Sequence, residues 1–291
     1  MEIMQFAAYG LINGALYGMV ALGLSLAYGI MGYLNVAQGH VIVLGAYGTY
    51  WLFRIWEVDP FVSIPILMGG LFILGAVLYV AVYSWLLKFP VIDRLKSSLL
   101  ISFGLMLVFE NLAILLWTAD ERAVTTSYSG RVMDLSGVRL PYIGLGTIVL
   151  AVIVVIALHL FLNKTYFGKA IRATAQDWEA SQLMGINVAR TYLLSFALSI
   201  LIAAPAGAVI SMRVISPGIG VEWSNYGLVL VILAGVGNIN AILPAGFFLG
   251  LIEAMSVYLV GAPYTGMAGL VVFLLVLLFR PQGLFRGRAG L

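Results

Sequence analysis

Two carboxylates sit where carboxylates are rare. Glu110 and Glu253 each lie inside a long apolar run. An ionisable group in such a run is costly, and it normally faces the interior of a helix bundle or water. Glu253 follows Gly250 by three residues and Gly246 by seven, so on a helix it shares their small-residue face and points into protein. Glu110 falls toward the outer end of its run, where water is available. Each could be a pathway or gating group, but the plainer reading, a hydrogen-bonded structural acid, is preferred for both. Uncharged polar residues recur in the same setting. Asn13 and Tyr17 share one helix face and Asn35 and Gly39 another, with Gln38 and His40 beside it, and Asn240 stands at a later run. Together they could line a polar conduit, whereas each alone is more often an interhelical hydrogen bond.

A second kind of chemistry belongs to one polar stretch, Lys164 to Arg190. Six of its residues are charged, in a chain where only 9% are. Asp177 can cap a short helix, Trp178 to Met184, because its carboxylate can accept from free backbone N–H groups. Gly185 can end that helix in the left-handed conformation. Helix formers predict an earlier helix from about Gly168 to Ala175. The result is an amphipathic hairpin at the membrane surface. An interfacial anchor is the bland alternative. It fits poorly, because both signs of charge are present and the basic excess is small. A docking element for a soluble protein fits better.

Other chemistries are missing from the sequence. There is no cysteine, so disulfides and thiolate metal sites are excluded, and the two histidines, His40 and His159, lie far apart. No Gly-x-x-x-x-Gly-Lys-Ser/Thr phosphate loop occurs, so the chain is not expected to hydrolyse ATP. No catalytic cluster suggests an integral-membrane enzyme. A proton-driven carrier needs buried charged relays. Here there are two acids and no Lys or Arg inside a span, so the energy is expected to come from elsewhere.

The elements that position these residues follow from composition. Of 291 residues, 63% are hydrophobic, and mean hydropathy is +1.08. Soluble domains hold about 45–50% apolar residues, so this is an all-α, polytopic membrane helix bundle forming a single domain over 1–291. The net charge of +3 is no argument for nucleic acid. The N-terminus, MEIMQF, reads as a retained first span and not as a cleaved signal. No Lys, Arg, Asp or Glu occurs from Ile3 to Phe53. A span needs about 20 residues, so that run holds two helices, with a break near Tyr28–Gln38. Further spans are expected over Phe61–Leu87, Ser97–Trp117, Leu140–Leu162, Tyr192–Met212, Ala241–Leu259 and Tyr264–Phe279. Asn225–Gly237 is short and reads as a broken or re-entrant segment. The count is eight or nine.

Placing the polar stretch inside the cell puts ten Lys/Arg inside, including Arg280, Arg286 and Arg288, and five outside. The outer five are Arg54, Arg122, Arg131, Arg139 and Arg213, together with most of the acids, among them Glu222. That is the positive-inside pattern, and it favours nine crossings with the N-terminus outside. The 118–139 loop is then the largest external segment, a folded cap or a solvated connector. Small residues four apart (Gly14 and Gly18, Ala204 and Ala208, Gly246 and Gly250) predict close helix packing, and Pro205 and Pro244 predict kinks or breaks. Gly32-x-x-Asn35 with Leu44-Gly45 echoes Gly237-x-x-Asn240 with Leu249-Gly250, an echo that chance explains almost as well in a chain with 33 glycines.

Four stretches carry a family resemblance. Glu179-Ala180 with Gly185-Ile186 resembles the EAA loop of ABC-importer permeases. The surrounding RATAQDWEASQLMGINVARTYLLSF resembles the LivH-type permeases of branched-chain amino acid importers. Leu11 to Tyr47, Leu233 to Ala254 and the terminal FRPQGLF (Phe279 to Phe285) are similar to the same family. The late segment departs from it, with Asn238, Ile239, Asn240 and Pro244 where more glycine is usual.

The resemblance implies a permease subunit of the bacterial inner (plasma) membrane, paired with a second, related permease. Two cytoplasmic ATPases, carrying ATP and Mg, would bind the EAA loops, and a periplasmic or extracellular binding protein would deliver substrate. The carry-over places coupling on Asp177, Trp178, Glu179, Ala180, Ser181, Gln182, Leu183, Met184, Gly185 and Ile186. No cofactor is implied for this chain itself. Branched-chain or other hydrophobic amino acids are the implied cargo, with urea or short amides as the alternative within the broad family. An ion-coupled carrier or a passive solute channel is the alternative from another class, and each leaves a feature unexplained.

Overall fold

The computed structural model describes residues 2–89, 91–135, 137–261, 265–280 and 282–285. Tyr264 at the expected start of the last span, Pro281 of the terminal motif, and Arg286 and Arg288 of the basic tail lie outside the described residues. The chain is an all-helical bundle with one small hairpin. Its spine is α1 (Glu2–Met31), whose residues from Gly14 to Ala27 are all buried. At 30 residues it is about 45 Å long, long enough to serve as a ruler for the rest.

The expected break after the first span is real. Gly32, at φ +65, ends α1, and α2 (Gln38–Trp56) starts six residues later. α3 (Pro60–Ala81) is capped by Asp59, which accepts from the Phe61 N–H, and runs into a 3₁₀ turn, Tyr83–Lys88. α4 (Val91–Trp117) returns to the first end. There a two-stranded antiparallel hairpin, β1 (Val132–Leu135) and β2 (Val138–Pro141), follows, then α5 (Tyr142–Lys164). The polar stretch forms α6 (Tyr166–Gln176) and α7 (Trp178–Leu183).

The expected sixth span is two helices, α8 (Val188–Leu201) and α9 (Ala203–Ser211), separated at Ile202 just ahead of Pro205. α10 (Ile219–Ala234) starts six residues before the expected short segment. α11 (Ile239–Val260) contains Pro244 without being ended by it, so that expected break is a correction. The proline's missing N–H costs the ladder one bond, to the Asn240 carbonyl, and the rest of the helix continues past it. α12 (Thr265–Phe279) completes the described helices. Among the described residues, six helices are long and apolar enough to cross a membrane, counting α8–α9 as one, and α10 and α12 are shorter apolar helices.

Packing follows the small residues. A Cβ on Gly14 would sit 2.4 Å from the Gly246 carbonyl oxygen, and one on Gly250 2.2 Å from that of Gly10. α1 and α11 therefore touch backbone to backbone, which in lipid is a main source of helix association. α9 approaches α2 in the same way, through Gly207 against Ile42 and Ala46. The internal echo survives at one point: Gly32 and Gly237 both have positive φ, yet α2 begins six residues after the first and α11 two after the second.

The two ends of the bundle differ. At the loop end the 118–139 segment is folded down: Arg122 and Ile215 exchange backbone hydrogen bonds, and Val124 N–H donates to Ser211. Tyr128 donates to Asp59 (2.8 Å), and Gln5 bonds the Arg139 backbone. Burial first, and then the bond to Asp59, pushes the Tyr128 phenol up to about 12. At the other, hairpin end lie α6, α7 and the α10–α11 turn, where Asn238 donates to Phe285 and Leu284 N–H to Leu233.

Candidate functional site

The hairpin is built as its sequence requires. Thr165 caps α6 by accepting from Gly168 N–H, and Gly168 is obligatory because a Cβ there would meet the Phe161 carbonyl at 2.1 Å. Asp177 Oδ1 accepts from Ala180 N–H at 2.9 Å, capping α7 as expected. Gly185 has φ +82, and Gly185 and Ile186 N–H groups close the end of α7 onto Gln182 and Ser181. Ile171 and Thr174 are buried and hold α6 to the bundle. Arg172 donates to Asn163 at the end of α5. The tip is bare: Leu183 is 89% and Met184 83% exposed, with Glu179, Gln182 and Gly185 also exposed. Two exposed large apolar side chains beside an acid on a capped, one-and-a-half-turn helix form a surface suited to a protein partner.

The second region surrounds the broken start of α2. Unpaired backbone there needs partners, and several helices supply them. Leu34 N–H donates to Ser98 Oγ, and Tyr83 OH donates to Asn35 Oδ1. Asn35 contacts Gln38, which donates to the Ser199 carbonyl at 3.1 Å. Ser224 on α10 bridges the gap, donating to the Val36 carbonyl (2.6 Å) and accepting from Gly39 N–H (3.0 Å). Gly39 and Gly220 let the two helices meet, since a Cβ on Gly39 would fall 2.0 Å from the Gly220 oxygen. The amino ends of α2 and α10 thus abut. The depth is fixed by α1: Gln38 touches Gly23, and Trp223 and Tyr226 of α10 pack on Tyr17, near the middle of the spine.

The structure sorts the sequence candidates into pairs. Tyr17 OH donates to Glu253 Oε2 at 2.7 Å. Glu253 is 3% exposed, and its Oε1 has no hydrogen-bond partner among the described residues. Asn35 and Gln38 belong to the α2 break. His40 Nε2 lies 3.6 Å from Glu110 Oε2. Asn13 accepts from Arg213 (3.0 Å), and Asn240 meets His159 (2.9 Å) at the hairpin end, away from the rest. There His159, Asn163, Arg172, Asn238 and Asn240 border a cavity of about 90 Å³.

Three structural features were not foreseen. Arg213, counted with the outside residues, reaches the bundle and engages α1. Glu222, counted the same way, stands exposed on the first turn of α10, level with the middle of α1. Ser224 joins two broken helices. The Gly220–Ser224 spacing on one face was the available signal.

Comparison with known proteins agrees along nearly the whole chain. The profile of a family described as "Branched-chain amino acid transport system / permease component" matches residues 6–279. The chain is 27% identical to the high-affinity branched-chain amino acid transport system permease protein BraD of Pseudomonas aeruginosa, over 97% of this chain and 95% of that one. It is 26% identical to the corresponding LivH protein of Salmonella typhimurium, over 94% and 92%. It is also 26% identical to a probable branched-chain amino acid transport permease, LivH, of Methanocaldococcus jannaschii, over 94% and 90%. No solved structure matches the chain.

Proposed function

Because this chain belongs to the branched-chain amino acid transport permease family, we propose that it forms the translocation pathway of an ATP-driven importer of branched-chain or other hydrophobic amino acids. It is a multi-pass membrane permease component, and in this reading it lies in the bacterial inner membrane. A second, related permease completes the pathway. Two cytoplasmic ATPases, holding ATP and Mg, dock on the hairpins, and a binding protein delivers cargo at the loop end.

The observation that carries the reading is the α6–α7 hairpin. A solvated connector has no need of two side-chain caps, a left-handed glycine and a bare Leu183–Met184 tip. Asp177 to Ile186 is the coupling element: Asp177 and Gly185 fix its shape, while Glu179, Leu183 and Met184 meet the ATPase. α7 is followed, after the Gly185 turn, by α8, which carries the ATPase movement toward the α2 break. Of the pathway candidates, Asn35 and Gln38 hold that break. Asn13, Tyr17 and Glu253 tie α1 to its neighbours, and Asn240 stays beside the hairpin. His40 and Glu110 join α2 to α4, 3.6 Å apart.

The test is reconstitution in liposomes with ATPases, a second permease and a binding protein, with ATP enclosed. Labelled leucine is expected to accumulate only when the ATPases and ATP are present. Equal uptake without ATPases would overturn ATP coupling. ATP-driven uptake of urea or acetamide, and not of leucine, would overturn the cargo.

A further inference from the structure

The cavity of about 90 Å³ at the root of the hairpin has no part in the coupling described above, and its lining suits an anion. Arg172 of α6 borders it, with His159 and Asn163 from the end of α5 and Asn238 and Asn240 from the start of α11. No carboxylate borders it, and among the described residues Arg172 has no ion-pair partner. One guanidinium nitrogen donates to Asn163 Oδ1, and this is the group's one hydrogen bond among the described residues. Asn240 meets His159 through its Oδ1, which leaves its amide N–H groups unused. A held guanidinium with donors to spare, beside an amide and away from any acid, is suited to an oxyanion, and arginine's fork matches phosphate.

The membrane brings phosphate to that level. The 23 residues of α5 span about 35 Å, slightly more than a hydrocarbon core of about 30 Å. His159 and Asn163 lie in the last turn and a half of α5, at headgroup depth. Val152, Ile156 and His159 share one face of α5 by spacing, and all three are exposed. On α11 Asn240, Pro244 and Phe248 share a face in the same way, and they too are exposed. Both faces are apolar deep in the membrane and turn polar at the same level, where His159 meets Asn240. An acyl chain lying along them would carry its headgroup to the cavity. Tyr166 and Phe167 are exposed at the start of α6, at the same end, as aromatic side chains are at a membrane–water interface. A basic pocket between spans is a recurrent form of headgroup recognition.

We propose that this cavity is a phosphate-binding site, filled by the headgroup of an anionic phospholipid or by free phosphate from solution. The phosphate takes hydrogen bonds from Arg172 and Asn240 and so ties α6 to α11 across the cavity. The two apolar faces favour the lipid as its source. The site needs the fold and the membrane setting, and depends neither on the cargo nor on ATP coupling.

The experiment is native mass spectrometry of the purified, detergent-solubilised chain titrated with dioleoylphosphatidylglycerol. One lipid per chain is expected to bind tightly. Dioleoylglycerol, which lacks the phosphate, is expected to bind at least about tenfold more weakly, the scale of one charge-assisted hydrogen bond. Arg172→Gln keeps a donor for Asn163 and is expected to lose affinity for the phospholipid by a similar factor. Lys169→Gln, at an exposed lysine of α6 outside the cavity lining, is expected to keep it. Asn240→Ala changes an exposed side chain, so it serves as a second variant should Arg172→Gln misfold, with a several-fold loss expected. Inorganic phosphate separates the sources. Its competition at millimolar concentration assigns the site to the phosphate group alone, and lipid binding untouched by it assigns the site to the lipid headgroup. Equal binding of the phospholipid and dioleoylglycerol would overturn the site without recourse to a variant. Unchanged affinity in Arg172→Gln and Asn240→Ala would overturn it as well, and so would an equal loss in Arg172→Gln and Lys169→Gln, which would mean diffuse attraction to a basic surface.

Discussion

The buried Tyr17–Glu253 pair shows what a single hydroxyl does in this bundle. Tyr17 OH is the hydrogen-bond donor to Glu253, and the other carboxyl oxygen lies against α12 at Gly269. Tyr17→Phe removes the bond and leaves the buried carboxyl short of its closest donor, so it should cost about 1–3 kcal/mol. Glu253→Gln keeps an acceptor for Tyr17 and should cost less. Thermal unfolding in detergent checks the order, and an equal loss in both would argue against the pair as an anchor. Tyr128 makes a comparable bond in water-accessible protein, and there pH reports on it. Its phenol is pushed up to about 12, above its ordinary value of 10.0, so folding favours the protonated form. The stability it lends the loop-end cap is complete below pH 10 and is lost as pH rises toward 12. Asp59→Asn should lower the Tyr128 titration, read as the phenolate absorbance difference against Tyr128→Phe. A titration unmoved by that change would leave burial as the sole cause.

Elements were legible in proportion to how local their causes are. The α7 cap at Asp177, the left-handed Gly185 and the gap after Gly32 are set by residues within one turn, and spacing exposed all three. Gly185→Pro tests the first two together. Proline holds φ near −65° and cannot take the +82° seen here, so the α7 turn should reshape while the spans insert normally. ATP-driven uptake should fall to background with membrane yield unchanged, and normal uptake would displace the coupling element from this turn. Partners across the bundle were less legible. Arg213 and Asn13 are 200 residues apart, and Gln38 and Ser199 are 161. Periodicity assigns each residue a face of its own helix but says nothing about which helix that face meets. α10 was placed too late for a related reason. Its first turn carries Glu222, and a hydropathy pattern trims a turn with an acid from the span although the backbone is already helical.

For the whole molecule, orientation is the property most directly open to measurement. The chain has no cysteine, so every introduced one is a unique label. Ser127→Cys in the loop-end cap should react with a membrane-impermeant maleimide in intact cells, and Leu183→Cys at the hairpin tip only after lysis. The reverse pattern would invert the molecule and remove the hairpin from any cytoplasmic partner. The same two ends are mechanically connected. α8 starts one turn beyond the hairpin, where Asn187 accepts from Arg190 N–H, and near its far end Ser199 offers its carbonyl to Gln38. Its 14 residues span about 21 Å, and a hydrogen-bonded helix hardly shortens along its axis. It is a piston rod with a bearing at each end. In the proposed coupling, a stroke on Leu183 and Met184 would travel along that rod to Gln38, which is two residues from His40.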